Sequence, residues 1–114
     1  MNISFSLTQE ALLGGRKTVT RRKWSDRTVN SCISAFNRGM RVHQAWNQCS
    51  FVKGARPIGT IEFTRVPYLE RLVDMPETDL IAEGGLWATK NEFIDLFGGD
   101  PQQMVLVIHF RLLP

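Results

Sequence analysis

The segment that most constrains the fold of this chain is its last one, Met104–Leu112. Apolar residues recur there at every second position: Met104, Leu106, Ile108, Phe110 and Leu112. This period of two is typical of a β-strand that packs one face against a core. The sequence therefore predicts a fold built on a sheet, in which Leu106, Ile108 and Phe110 are buried together with Ile61 of an earlier strand.

Helices and strands alternate irregularly along the rest of the chain. The pattern predicts strands at Ile3–Leu7, Lys17–Arg22, Met40–Trp46 and Ile58–Val66, and helices at Gln9–Leu13, Asp26–Asn37, Glu77–Ala82 and from Thr89 to Phe97. These helices differ too much in length to form repeated βαβ units. The pattern favours an α+β fold with a curved, mostly antiparallel sheet. The length of 114 residues fits a single domain over residues 1–114.

Composition and the chain's N-terminal residues indicate the class of protein. Hydrophobic residues make up 43% and charged residues 22%, as in a globular protein. The longest apolar run, Met104–Ile108, is far shorter than a membrane span. Residues 1–5 lack the basic and apolar regions of a secretory signal. We therefore expect a cytoplasmic protein without membrane contact, in which Cys32 and Cys49 are reduced.

Charge is distributed unevenly along the chain. Residues 1–56 contain ten Lys or Arg against two acidic residues, whereas residues 57–114 contain four against nine. Because a single domain contains both halves, the pattern predicts one surface with a basic side. Such a side attracts phosphates at long range regardless of sequence. The alternative is a solvated face whose cations pair with the acidic half.

Several common site motifs are absent. Gly14–Thr18 superficially resembles the end of a phosphate-binding loop, but an arginine stands where the glycine before the lysine is required. There is no GxGxxG, HExxH, GxSxG or CxxC pattern. His43 and His109 stand alone on predicted strands and are interpreted as ordinary structural residues. The sequence thus predicts no metal and no cofactor.

The segment Leu12–Arg22 concentrates cations and hydroxyls directly after a helix and a diglycine turn. A lysine acts as a base when burial or neighbouring cations lower its pKa. A threonine hydroxyl becomes a nucleophile when a base removes its proton. Lys17 and Thr20 are therefore a candidate pair. Residues three apart point to opposite faces of a straight strand, so the pair converges only if the backbone turns or bulges between them.

The stretch Gly15–Arg22, GRKTVTRR, resembles the GRKTxTxR signature of the ASCH family. The resemblance continues in order along nearly the whole chain, through Phe36–Val42, Ile58–Ile61, Leu80–Gly84 and the closing strand Val105–Phe110. ASCH domains are similar to PUA domains. The resemblance implies a PUA-like β-barrel with flanking helices around a cleft for RNA or a nucleoside.

The resemblance also implies residue roles. Some small ASCH members are amidohydrolases that remove the acetyl group of N4-acetylcytidine, and their catalytic set corresponds to Lys17, Thr20 and Glu83. On this hypothesis the three residues line one cleft, with Arg21 or Arg22 at its rim. The residues expected to contact RNA or phosphate are four cations of the signature and the position after it: Arg16, Arg21, Arg22 and Lys23.

Two other functions stay open at this stage. Other ASCH members are associated with RNA binding without catalysis, and at least one with RNA cleavage. This chain also departs from the smallest amidohydrolases in a longer helix, Trp24–Arg38, and in the loop Cys49–Pro57. Both insertions are placed to narrow or cover the cleft. The tryptophans, Trp24, Trp46 and Trp87, are candidates for stacking on bases, although a single tryptophan more often belongs to a core.

Overall fold

The computed structural model describes residues 1–114. Its strands are β1 (Asn2–Ser4), β2 (Val19–Arg22), β3 (Val42–Trp46), β4 (Pro57–Phe63), β5 (Tyr68–Arg71) and β6 (Met104–Leu112). Its α-helices are α1 (Gln9–Leu13), α2 (Asp26–Asn37), α3 (Asp79–Ala82) and α4 (Lys90–Leu96), and a 3-10 turn spans Leu72–Asp74. The predicted α+β class is confirmed.

All six strands belong to one curled sheet in the order β1-β3-β4-β6-β2, with β5 also paired to β6. β1 runs parallel to β3, and every other pairing is antiparallel. The sheet is therefore mixed and forms a half-barrel. The expected closed barrel is not confirmed, because no backbone ladder joins the edge strands β1 and β2. A side-chain hydrogen bond bridges that seam instead: Arg22 Nη2 donates to the main-chain oxygen of Ser4 at 2.6 Å.

The predicted strand Met104–Leu112 organises the sheet as β6. β2 lies along one of its edges, with Thr20 opposite Ile108. β4 and β5 follow one another along the other edge, where Phe63 pairs with Phe110 and Tyr68 with Val107. β5 was not predicted, because its sequence Tyr68-Leu69-Glu70-Arg71 has no apolar alternation. Pairing with β6 holds it in place.

The core confirms the predicted burial of four residues. Ile61, Leu106 and Ile108 have no exposed surface, and Phe110 retains 2%. The opposite face of β6 is also buried, because Val105 packs against Phe93 and Ile94 of α4 and against Leu72. At the ends of the strand the side chain of Met104 is exposed and that of Leu112 is half-buried.

The helices begin and end close to where their capping residues predict. α1 and α2 have the predicted bounds, and Ser25 caps α2 by accepting a hydrogen bond from the Thr28 amide. Thr89 caps α4 in the same way, through the amide of Glu92. α3 is shorter than predicted and starts at Asp79. Thr8, at the N-cap position of α1, makes no side-chain capping bond.

No helix of the structure combines the length and the apolar character needed to cross a lipid bilayer. Cys32 is buried in the core and Cys49 is exposed, and both are free thiols.

Candidate functional site

The signature segment turns sharply between α1 and β2. Gly15 adopts a positive φ of 77°, a conformation that glycine tolerates best. The amides of Arg16 and Lys17 then both donate to the main-chain oxygen of Ala11, at 2.9 and 3.0 Å. Lys17 therefore lies in irregular backbone before the strand begins at Val19. This turn removes the objection that residues three apart face opposite ways.

Glu83 reaches the same place from the end of α3. The amide of Thr18 donates to the oxygen of Ala82 at 2.9 Å, which ties the helix end to the start of β2. Gly84 follows with a φ of 132°, and a Cβ at this position would lie 3.0 Å from Thr8 Cγ2. A side chain would thus both strain the backbone and clash with Thr8. The Glu83-Gly84 pair is what allows this close approach.

Lys17, Thr20 and Glu83 line one cleft of about 230 Å³, although Glu83 is remote from the others in sequence. All three are buried, with 4%, 2% and 2% of their surfaces exposed. Apolar side chains complete the walls: Phe5, Leu7, Trp87, Phe93, Leu96 and Phe97. The cleft thus joins a charged floor to a largely aromatic wall, a combination typical of small-ligand sites.

Lys17 and Glu83 form a buried ion pair. Lys17 Nζ donates to Glu83 Oε1 at 3.0 Å and to the main-chain oxygen of the same residue at 2.6 Å. Burial lowers the pKa of the Lys17 ammonium below its usual 10.5, Glu83 raises it in part, and the Arg22 and Arg21 charges lower it again. The balance favours the neutral amine more than in an exposed lysine.

Arg21 lies behind this pair rather than at the rim of the cleft. Its side chain has no exposed surface. Its guanidinium donates to three carboxylates: Glu83 Oε2 at 2.9 Å, Asp79 Oδ2 at 2.6 Å and Glu70 Oε1 at 3.1 Å. Burial alone would lower the pKa of Arg21, but the three carboxylates together raise it. The predicted phosphate contact of Arg21 stays a prediction, and its guanidinium is already occupied by three carboxylates.

Arg22 occupies the rim instead, on the opposite face of β2. Its Nε donates to Thr20 Oγ1 at 3.0 Å, and its guanidinium lies 5.0 Å from the centre of the Phe5 ring. Burial lowers the pKa of Arg22 to about 10, so the group is still cationic at neutral pH. Thr20 Oγ1 is therefore bonded to Arg22, while both hydrogen bonds of Lys17 Nζ go to Glu83. The candidate base and nucleophile share the cleft without a direct hydrogen bond.

The other two predicted phosphate contacts lie in different places. Lys23 is exposed at the cleft, and its Nζ donates to the oxygen of Met104 at 3.2 Å. Arg16 does not line the cleft. It lies on the outer surface, 3.6 Å from Glu10.

Sequence reasoning missed Glu70 and Asp79, the two further partners of Arg21. No local motif marks either residue, since one lies on the unpredicted strand β5 and the other opens the short helix α3. No cluster of three or more His, Cys, Asp or Glu side chains is arranged to hold a metal ion. His109 accepts or donates a hydrogen bond with the Tyr68 hydroxyl at 3.0 Å, outside the cleft.

Comparison with known proteins shows a fold relative. No family model matches the chain, and no curated protein is significantly similar to it in sequence. A crystal structure of protein EF3133 from Enterococcus faecalis V583, described by the family model DUF984, superimposes with a TM-score of 0.57 at 14% identity. The match covers 92% of this chain and 66% of that one. At this identity the likeness shows that the two chains share a fold.

Proposed function

We propose that the protein is an ASCH-type amidohydrolase that hydrolyses an acylated nucleoside, with N4-acetylcytidine as the reference substrate. The observation that carries the proposal is the buried Lys17, whose pKa is lowered, in one cleft with the hydroxyl of Thr20 and the carboxylate of Glu83. The aromatic wall of the cleft suits a planar base. The PUA-like barrel implied by the sequence resemblance belongs to the same proposal.

The first step is attack by Thr20 on the acetyl carbonyl. Neutral Lys17 takes the hydroxyl proton as Thr20 Oγ forms a bond to the carbonyl carbon. Because Lys17 Nζ and Thr20 Oγ1 are not hydrogen-bonded to each other, the proton passes through one water or after the substrate has drawn the two groups together. Arg22, which already donates to Thr20 Oγ1, stabilises the negative oxygen of the tetrahedral intermediate.

The second half of the reaction restores the enzyme. The C–N bond breaks and Lys17, now protonated, returns the proton to the departing cytosine amine, which leaves an acetyl ester on Thr20. A water molecule then hydrolyses the ester and releases acetate. Glu83, 3.0 Å from Lys17 Nζ, stabilises the ammonium form of Lys17 after the proton transfer, so it keeps the proton carrier in place until the amine departs.

The test is incubation with N4-acetylcytidine followed by chromatographic measurement of cytidine. Thr20→Val removes the hydroxyl and keeps the shape and the β propensity, so turnover should be abolished. Thr18→Val is the matched control, because Thr18 is exposed and does not line the cleft. Turnover by the Thr20→Val variant at the wild-type rate would contradict the mechanism.

A non-catalytic RNA-binding module is the second candidate. One observation favours it: Lys17 and Thr20 are each bonded to another partner, as in a structural polar network. Affinity for single-stranded RNA should then fall with salt, with a logarithmic slope of roughly −0.7 per phosphate contact. Lys23→Ala should make that slope shallower, whereas Arg111→Ala, which removes a cation paired with Glu62, should not. Salt-dependent RNA binding without any release of cytidine would favour this candidate over the enzyme.

A further inference from the structure

A second pocket of about 220 Å³ adjoins the cleft. Ser4 and Arg22 line both cavities, so the two meet at the bridged seam between β1 and β2. The remaining walls come from the start of α2, the end of β3 and the loop that follows β3. The end of β3 and this loop lie within residues 1–56, the part of the chain that carries most of its basic residues.

The walls of this second pocket are aromatic. Trp24 and Trp46 are half-buried within it, and Phe51 stands at the tip of the loop between β3 and β4. That loop is ordered by its own hydrogen bonds, in which the Asn47 side chain donates to Gly54 and accepts from the Arg56 amide. Phe51 is nevertheless 96% exposed. Its ring has no packing role in the protein and is free to stack on a ligand.

One residue of the pocket wall carries an unpaired donor. Trp46 lines the pocket, and its Nε1 is buried without a hydrogen-bond partner in the protein. Buried polar groups are nearly always paired, so this indole N–H needs an acceptor, which a water molecule or a ligand reached by a small shift of the ring would supply. Gln48 adds a side-chain amide to the same wall. Aromatic faces together with an indole donor and an amide are the groups that recognise a nucleobase.

Charge around the pocket favours a polyanion. The chain contains no acidic residue between Asp26 and Glu62, and this stretch forms much of the pocket wall. Lys53 and Arg56 lie on the same loop as Phe51, and Lys23 follows Arg22. The guanidinium of Arg22 stands where the two cavities meet, which is where a phosphate linking two nucleotides would lie.

We propose that the second pocket binds the base next to the acylated nucleotide, so that the substrate is a single-stranded RNA segment rather than a free nucleoside. This inference rests on the proposed function for the identity of the base in the cleft. The flanking base stacks on Trp24, Trp46 or Phe51 and supplies an acceptor to Trp46 Nε1 as the pocket side chains adjust. The linking phosphate faces Arg22.

The test uses tryptophan fluorescence in a Trp87→Phe variant, in which only the two tryptophans of the second pocket emit. The ligands are N4-acetylcytidine, the trinucleotide with that residue between two uridines, and the same trinucleotide with abasic flanks. The complete trinucleotide should quench the emission and bind roughly tenfold or more tightly than the abasic one, given the usual strength of base stacking. The free nucleoside should leave the emission unchanged.

Phe51→Ala should remove most of the gain from the flanking bases, whereas the control Val52→Ala, at a neighbouring exposed position outside the pocket wall, should keep it. Equal affinity of the complete and abasic trinucleotides, or no binding of either, overturns the inference. Hydrolysis decides the proposed function separately. Base-dependent quenching without deacetylation of the bound trinucleotide would refute the catalysis and support the second pocket. Hydrolysis of the free nucleoside without any effect of flanking bases would do the opposite.

Discussion

Glu83 holds two buried cations, and its replacement should reveal how the charged floor of the cleft is balanced. Glu83→Gln keeps the size of the side chain but removes the charge that faces Lys17 at 3.0 Å and Arg21 at 2.9 Å. Arg21 retains Asp79 and Glu70. Lys17 retains no carboxylate, because Glu83 is its single acidic partner. The cost therefore falls mainly on Lys17.

The size of the loss in stability caused by Glu83→Gln follows from the burial of the ion pair. Both side chains of the Lys17–Glu83 pair are 3% exposed. Removing one partner of such a pair costs about 3–5 kcal/mol, since the remaining charge is buried without compensation. In urea, where small domains lose about 1–3 kcal/mol per molar, the midpoint of unfolding should fall by roughly 2 M. Lys17→Met should cost less, because Glu83 then still pairs with Arg21.

The stability of the protein should also depend on pH through Lys17. The pKa of Lys17 is lowered in the folded protein below its unfolded value of 10.5, so between these two values the unfolded chain binds more protons. Stability contributed through Lys17 therefore rises with pH across that window. Glu83→Gln removes a contact that raises this pKa, which extends the window to lower pH. The stability gap between wild type and Glu83→Gln should narrow as the pH rises.

Urea unfolding at several pH values measures both the loss in stability of each variant and its dependence on pH. The Lys17→Met variant should not show the rise in stability with pH that Lys17 contributes. The difference between its free energy of unfolding and that of the wild type isolates this contribution, because the other titrating groups are common to both proteins. Glu77→Gln is the control, since Glu77 is exposed and makes no ion pair, and it should change stability by less than about 0.5 kcal/mol. A loss below about 1 kcal/mol for Glu83→Gln, or a loss that does not change with pH, would refute the reasoning.

Two further predictions concern residues outside the proposed catalytic set. Gly84→Ala should destabilise the fold more than Gly85→Ala. Both positions have a positive φ, which costs about 1–2 kcal/mol for a residue with a side chain, but only at Gly84 would the new Cβ also lie 3.0 Å from Thr8 Cγ2. Equal thermal unfolding temperatures of the two variants would contradict this. His43 is buried against Phe63, and burial is the largest of the causes that lower its pKa. Wild-type stability should therefore fall as the pH drops below 6.5, and His43→Gln should reduce that slope in urea unfolding; an unchanged slope would show that His43 does not titrate on unfolding.

Local patterns predicted the local parts of the fold. The alternation in β6 and the capping serines and threonines are short-range signals, and they located the main strand and helices α2 and α4. β5 escaped because its only apolar side chains, Tyr68 and Leu69, do not alternate, and its strand conformation depends on pairing with β6. Closure of the barrel is not confirmed, and no sequence pattern records whether two edge strands meet.

The candidate site was predicted as a set of residues and not as a network. The family resemblance nominated Lys17, Thr20 and Glu83, and the structure brings them into one cleft. Their partners could not be read from the sequence, because Asp79 and Glu70 matter only through their distance from Arg21. Arg21 and Arg22 illustrate the limit of prediction from the sequence. They are neighbours in sequence, yet one is buried among carboxylates and the other lies at the rim, since successive strand residues face opposite ways.

The central place of β6 has a consequence for the kinetics of folding. Its partners are remote in sequence: Val19 pairs with His109 and Ile61 with Leu112. Each such pairing closes a long loop of the chain. The conformational entropy of that loop is lost before the contacts between the strands can stabilise the fold. β3 and β4 follow one another in the chain and can pair locally, but β2 and β5 have no strand to pair with until β6 docks. The docking of this one strand should therefore limit the folding rate and complete the cleft in the same step.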